Sequence, residues 1–247
     1  MINPGPFALN YPDHQFQFFS SSHLAALTVL FLVYLSFWYF RNWFRNSKVD
    51  QWSRWTIGAV LLLQELSLSV WRWSHGVWEA GTSLPLHLCG MGIVLGSVLM
   101  FKRNYLLYEL VYFWGLGGAI QALLTPNIGE YGYPHYRYYQ FFVSHGVLIL
   151  ASLYMTWVGG MRPTHRSIWK VWGITNVYLL IIASFNWMSN GNYLFICHKP
   201  ETGSIIDFMG PWPWYILVLE LVAIISFYIY YAPFAIKDLV SRRGKTP

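Results

Sequence analysis

What most constrains this chain is a series of long apolar runs with almost no charge inside them. A helix needs about 20 mostly apolar residues to cross a hydrocarbon core roughly 30 Å thick. Runs of that kind fall near 24–41, 55–73, 84–101, 105–125, 139–159, 168–187 and 213–235. Hydrocarbon offers no partner for backbone polar groups, so a spanning segment must satisfy them internally, as a helix does. Composition agrees, with 55% apolar and only 11% charged residues, where a soluble domain carries about 25% charged. So few charges cannot cover a soluble fold. The predicted class is therefore all-α: one integral membrane domain over 1–247, built as a bundle of seven transmembrane helices. No internal repeat and no low-complexity segment is visible.

The basic residues predict which way up the bundle sits. Arg41, Arg45, Lys48 and Arg54 separate the first two runs; Lys102 and Arg103 separate the third and fourth. Arg162, Arg166 and Lys170 separate the fifth and sixth, and Lys237, Arg242, Arg243 and Lys245 follow the seventh. Thirteen basic residues thus lie on one side and only Arg72, Arg137 and Lys199 on the other. Loops rich in Lys and Arg stay in the cytoplasm, so the N-terminus is predicted outside and the C-terminus inside. The first run, with no basic leader, reads as a span and not as a signal peptide. The same asymmetry accounts for the net charge of +6 without nucleic acid as a partner.

Orientation then gives depth, at about 1.5 Å per helical residue. Cys89 in the third run and His145 in the fifth fall at one level, roughly 7–9 Å below the outer face. Gln121 and Asn186 close the outer ends of the fourth and sixth runs, and Glu65 and Glu220 come somewhat deeper. Arg72, His75, His135, Arg137 and Asp207 lie in the loops above. Cys89, Gly92 and Gly96 share a helical face, as do His145, Ser152 and Thr156. A strip of small residues packs helix on helix in lipid, which turns the thiol inward. His87 is offset by about 200° from Cys89 on a regular helix and is predicted to point elsewhere, unless Pro85 leaves the first turn irregular.

Each of these residues also has a plain reading. An isolated buried cysteine behaves as a small hydrophobe, a histidine near the interface as a structural donor, and Gln121 or Asn186 as interhelical hydrogen bonds. What a passive bundle does not need is polar side chains from several spans at one depth. A thiol becomes a nucleophile as thiolate, and an imidazole can supply it by taking the proton. Glu65 is a candidate to orient that imidazole, and Gln121 or Asn186 to hold an oxyanion. The spacing predicts Cys89 and His145 within about one water of hydrogen-bond reach, with Glu65, Gln121 and Asn186 lining the same cavity. At that depth the group most naturally presented is the ester of a phospholipid or lysophospholipid. Such chemistry requires no cofactor and no metal.

Four blocks carry a resemblance over nearly the whole chain: LPLHLCGMG at 84–92, GGAIQALLTP at 117–126, PHYRYYQFFVSHG at 134–146 and GNYLFICHKPETGSIIDFMGPWPWYI at 191–216. With them the chain resembles the bacterial YwaF-like integral membrane family, related to the eukaryotic transmembrane protein 164 type. Those relatives resemble cysteine-dependent acyltransferases that form ether phospholipids. More distantly the chain is similar to intramembrane hydrolases of fatty-acid esters that use Thr and His. The resemblance implies Cys89 as nucleophile and His145 as catalytic histidine; His87 stands with Glu65, Gln121 and Asn186 as a candidate supporting or substrate-binding residue. It implies an acyltransferase or ester hydrolase in the cell membrane, with its site at the extracellular leaflet. The last block reads as a lipid-entry lid or an interfacial aromatic anchor. Its Cys197, beside His198, is the thiol not expected to act.

Rival classes remain. Glu65, Glu109 and Glu220 inside spans are what a proton-coupled transporter would use, though no inverted repeat accompanies them. A non-catalytic lipid-binding protein fits the same residues. A metal held by His87, Cys89 and His145 would need an unusual zinc spacing. A retinal Schiff base in the seventh run is excluded, since no lysine lies between Lys199 and Lys237.

Overall fold

The computed structural model describes residues 5–200 and 205–243. Among them are no strands and seven helices of 14 residues or more. These are α1 (Ser21–Tyr39), α2 (Ser47–Ser74), α3 (Leu88–Phe101), α4 (Tyr105–Leu124), α5 (Tyr136–Trp157), α6 (His165–Ser189) and α7 (Trp214–Arg243). Every apolar run of the sequence falls on one of them. Five, namely α1, α4, α5, α6 and most of α7, are long and apolar enough to cross a membrane. The other two depart from expectation for different reasons. The helix α2 starts eight residues before its apolar run, because an ionic turn with Asp50 and Arg54 extends it. The helix α3 is shorter than its run, with 14 residues, or about 21 Å, against roughly 30 Å of hydrocarbon.

Pro85 accounts for that shortening. Proline disfavours helical backbone in the residue before it, and Leu84 is extended with ψ 150°. His87 is extended as well (φ −69°, ψ 154°) and caps α3 without a side-chain hydrogen bond. The non-helical lead-in is tied down from outside. The Leu84 N–H donates to the Tyr193 hydroxyl at 2.8 Å, that hydroxyl donates to the Ala80 carbonyl at 2.8 Å, and Tyr178 donates to the Leu86 carbonyl at 2.8 Å. Irregular backbone at such a position is tolerated when protein satisfies it.

The core lies where α4 and α5 run between α2, α3 and the remaining helices. Leu61 of α2, Leu99 of α3, Val111 and Phe113 of α4, and Leu148 and Tyr154 of α5 are fully enclosed. Small residues let α3 approach its neighbours: a side-chain carbon at Gly96 would touch Leu61 and Leu148, and one at Gly92 would touch Leu148. The outside of α1, α6 and α7 is apolar and open, with Phe31, Leu180, Ile181 and Leu217 all more than half exposed. A patch of that extent would aggregate in water and is matched by lipid chains.

Ionic networks tie together the end of the bundle where α2 begins. Asp50 accepts from Arg54 at 3.2 Å, from Arg103 at 2.5 Å and from Tyr154 at 3.2 Å. Glu109, buried in α4, accepts from Ser167 at 2.5 Å and Lys170 at 2.6 Å. The end where α2 finishes is different, and there the polar groups surround a cavity.

Candidate functional site

A cavity of about 170 Å³ opens between the last turns of α2, the lead-in and first turns of α3, and the first turns of α5. Its walls include Glu65, Arg72, His87, Cys89, Arg137 and His145. That space suits a headgroup or an ester and not whole acyl chains. Chains attached to such a group would have to lie outside.

Cys89 is the second residue of α3, nearer the start of its helix than a span beginning at 84 would place it. The N–H groups of a helix's first turn have no intrahelical partner, and here no cap side chain takes them. The thiol therefore sits beside the unpaired amides of a helix's first turn. Its sulfur faces α4, where a carbon added at Gly118 would lie 2.6 Å from Sγ. Only a glycine leaves room for the sulfur there.

His145 approaches from α5. Its Nδ1 lies 2.9 Å from the Phe141 carbonyl one turn earlier. A carbonyl can only accept, so Nδ1 carries the hydrogen and Nε2 keeps a lone pair. This replaces the carboxylate expected to orient the ring. Glu65 lines the cavity without a hydrogen bond to the imidazole among the described residues, and the same holds between Cys89 Sγ and His145.

His87 follows the irregular-turn alternative. Because α3 begins after it, the offset from Cys89 on a regular helix does not apply, and His87 lines the same cavity. Its Nδ1 accepts the Leu194 N–H at 3.3 Å, so the neutral ring carries its hydrogen on Nε2. Phe195 packs tilted and Tyr193 edge-on beside it, with ring centroids at 5.1 and 5.2 Å.

Gln121 and Asn186 do not line the cavity. Gln121 is exposed at the end of α4, where its carbonyl accepts from Thr125. Asn186 is buried, and both ends of its amide are taken by the backbone of Tyr193 at 2.9 Å. It holds a loop. The acids of the transport reading are separated: Glu109 is paired at the opposite end, and Glu220 accepts from Asn176 at 3.1 Å. Cys197 is exposed and unbridged, and its N–H donates to Asn192 at 3.1 Å. Of the last of the four blocks, residues 201–204 lie outside those described, while Phe208, Trp212 and Trp214 are exposed. No group of His, Cys, Asp and Glu among the described residues has the arrangement of a metal site.

Sequence reasoning left three parts of this site out. Arg72 and Arg137 were assigned to loops, yet Arg72 lies in the last turn of α2 and Arg137 in the first turn of α5. Spacing held the signal: Glu65 and Arg72 are seven apart, and Arg137, Gln140 and Ser144 follow at i, i+3 and i+7 on a wall of the cavity. The free amides of α3 had no signal beyond Pro85.

A helical chain with an apolar exterior and, among the described residues, five membrane-length helices is a multi-pass membrane protein. The chain belongs to the TMEM164 family, whose model matches residues 18–231. No curated protein and no solved structure matches it at significant similarity.

Proposed function

We propose that this protein is an intramembrane thiol acyltransferase, or ester hydrolase, acting on phospholipid acyl chains through an acyl-enzyme on Cys89. The observation that carries the reading is one cavity lined by a thiol at a helix N-terminus and by a histidine whose Nδ1 is occupied. His145 Nε2 takes the proton of the Cys89 thiol. The thiolate attacks the ester carbonyl carbon, a C–S bond forms, and the carbonyl electron pair moves to oxygen. The free N–H groups of α3's first turn face that oxyanion, a role earlier given to Gln121 or Asn186. Collapse breaks the bond to the lysolipid oxygen, which leaves with the proton from His145. A second lysolipid, or water, then takes the acyl group by the reverse sequence.

The seven helices all traverse the bilayer in this reading, α3 doing so with its extended lead-in. The thirteen basic residues lie in the cytoplasm, so the cavity faces the outer leaflet. Acyl exchange between a labelled phospholipid and a lysolipid, with purified protein in lipid discs, tests the proposal. Cys89→Ala and His145→Ala should each remove exchange by at least about a hundredfold, with unchanged expression and melting behaviour. Full exchange in Cys89→Ala, together with its loss in Glu220→Gln, would reverse the assignment in favour of proton-coupled transport.

A further inference from the structure

Arg72 and Arg137 border the cavity from two helices, and no described carboxylate lies within ion-pair distance of either. Their hydrogen bonds are to neutral acceptors. Arg72 Nη1 reaches the Thr82 and Ser83 carbonyls at 3.4 and 3.3 Å, both long contacts, and Arg137 donates to the Gln140 amide oxygen. One acid, Glu65, shares the cavity. Two guanidinium groups against one carboxylate leave a net positive charge in a partly enclosed space. Such charge is costly without an anion, and guanidinium forks match phosphate oxygens.

The depth order fits a substrate with its anion at one end. Arg72 lies seven residues beyond Glu65 on α2, about 10 Å along the axis, and Arg137 eight residues before His145 on α5, about 12 Å. These helices run in opposite directions, so the arginines share one level, with Glu65 and His145 about two turns deeper. Resting on the acyl-transfer reading, we infer that Arg72 and Arg137 form a phosphate subsite, which grips the phosphodiester of a glycerophospholipid while its ester reaches Cys89. The phosphate and the ester of such a lipid are a few bonds apart, which suits a cavity too small for chains. Selection would then fall on the phosphate and not on the headgroup alcohol.

Binding measured in a Cys89→Ala background isolates this subsite from turnover. Dihexanoylphosphatidylcholine should bind that protein, and the phosphate-free dihexanoylglycerol should bind at least about tenfold more weakly. Arg72→Gln and Arg137→Gln should each weaken the phospholipid about tenfold or more and leave the diacylglycerol unchanged. Arg72→Lys and Arg137→Lys keep the charge without the fork and should lie between, which keeps the test meaningful if a glutamine variant fails to fold. Inorganic phosphate should displace the phospholipid only at far higher concentration. Equal affinity for the two lipids, arginine variants that bind as the parent does, or phosphate that binds more tightly than the phospholipid would each overturn the subsite. Loss of the acyl-transfer reading would appear separately, as exchange that survives in Cys89→Ala.

Discussion

At the residue scale, the contact between Cys89 and Gly118 decides where the thiol can be. A methyl group at Gly118 meets only the sulfur, at 2.6 Å, so Gly118→Ala must displace it. Overpacking of that kind costs about 1–3 kcal/mol. With Cys89→Ala in place the obstacle is gone, and Ala exceeds Gly in helix preference by up to about 1 kcal/mol. Gly118→Ala should therefore destabilise the parent and stabilise the Cys89→Ala protein, a change of sign readable from melting curves of the four proteins. Additive effects would mean that the sulfur does not pack on α4. His145 holds its tautomer through a backbone carbonyl of its own helix, so the ring is oriented by local geometry.

At the element scale, two walls of the cavity depend on how a helix begins. The N-cap of α5 is His135, which is fully buried; its Nδ1 accepts the Arg137 N–H at 3.1 Å, and its Nε2 lies 2.9 Å from the Ala8 carbonyl. Burial pushes the His135 pKa down, the Ala8 hydrogen bond opposes this, and Arg137 adds to the lowering. A proton on Nδ1 would place two donors face to face and break the cap. The unfolded chain binds that proton below about pH 6.5 and the folded chain resists it, so stability is full above that pH and falls as pH drops below it. His135→Asn keeps a cap acceptor without the titration. Its melting temperature should vary less between pH 7 and pH 5 than that of the parent (about two units astride the histidine range), and an equal slope would remove His135 as the cause. The start of α3 depends instead on Tyr193, whose hydroxyl bridges Leu84 and Ala80. Asn186, buried with its amide doubly used, keeps Tyr193 in place.

At the scale of the whole molecule, the two ends of the bundle do different work. One is closed by the Asp50 and Glu109 networks, whose acids are each paired with basic side chains. The other leaves two arginines and one acid around a cavity, and the segment 193–195 presses on it through His87. Leu194 and Phe195 there adopt left-handed backbone, with φ of 61° and 54°, which costs a non-glycine residue about 1–2 kcal/mol. The exposed Cys197 follows directly and so reports on which side the cavity opens. On intact cells a membrane-impermeant maleimide should label Cys197 and spare Cys89, while a C-terminal tag should become reachable only after permeabilisation. A protected Cys197 with an accessible C-terminal tag would turn the bundle over.

The sequence by itself determined the helices, because the pattern that makes them is local: long apolar runs leave the backbone no other way to satisfy its hydrogen bonds. It also singled out Cys89, His145 and Glu65, since polar atoms within apolar runs stand out one residue at a time. Tertiary structure decided what those residues touch. Whether Asn186 met the thiol or the backbone of Tyr193 depended on how a loop folds back across the end of α6. Whether His87 pointed away from Cys89 depended on a helix that starts after Pro85 and not before it. Arg137 looked like a loop charge because the sequence cannot tell how far α5 extends beyond its apolar run, and Arg72 because it stands at the very end of its run, where α2 continues only to Ser74. Helix ends are fixed by caps and by contacts with distant segments, and these exist only once the chain has packed.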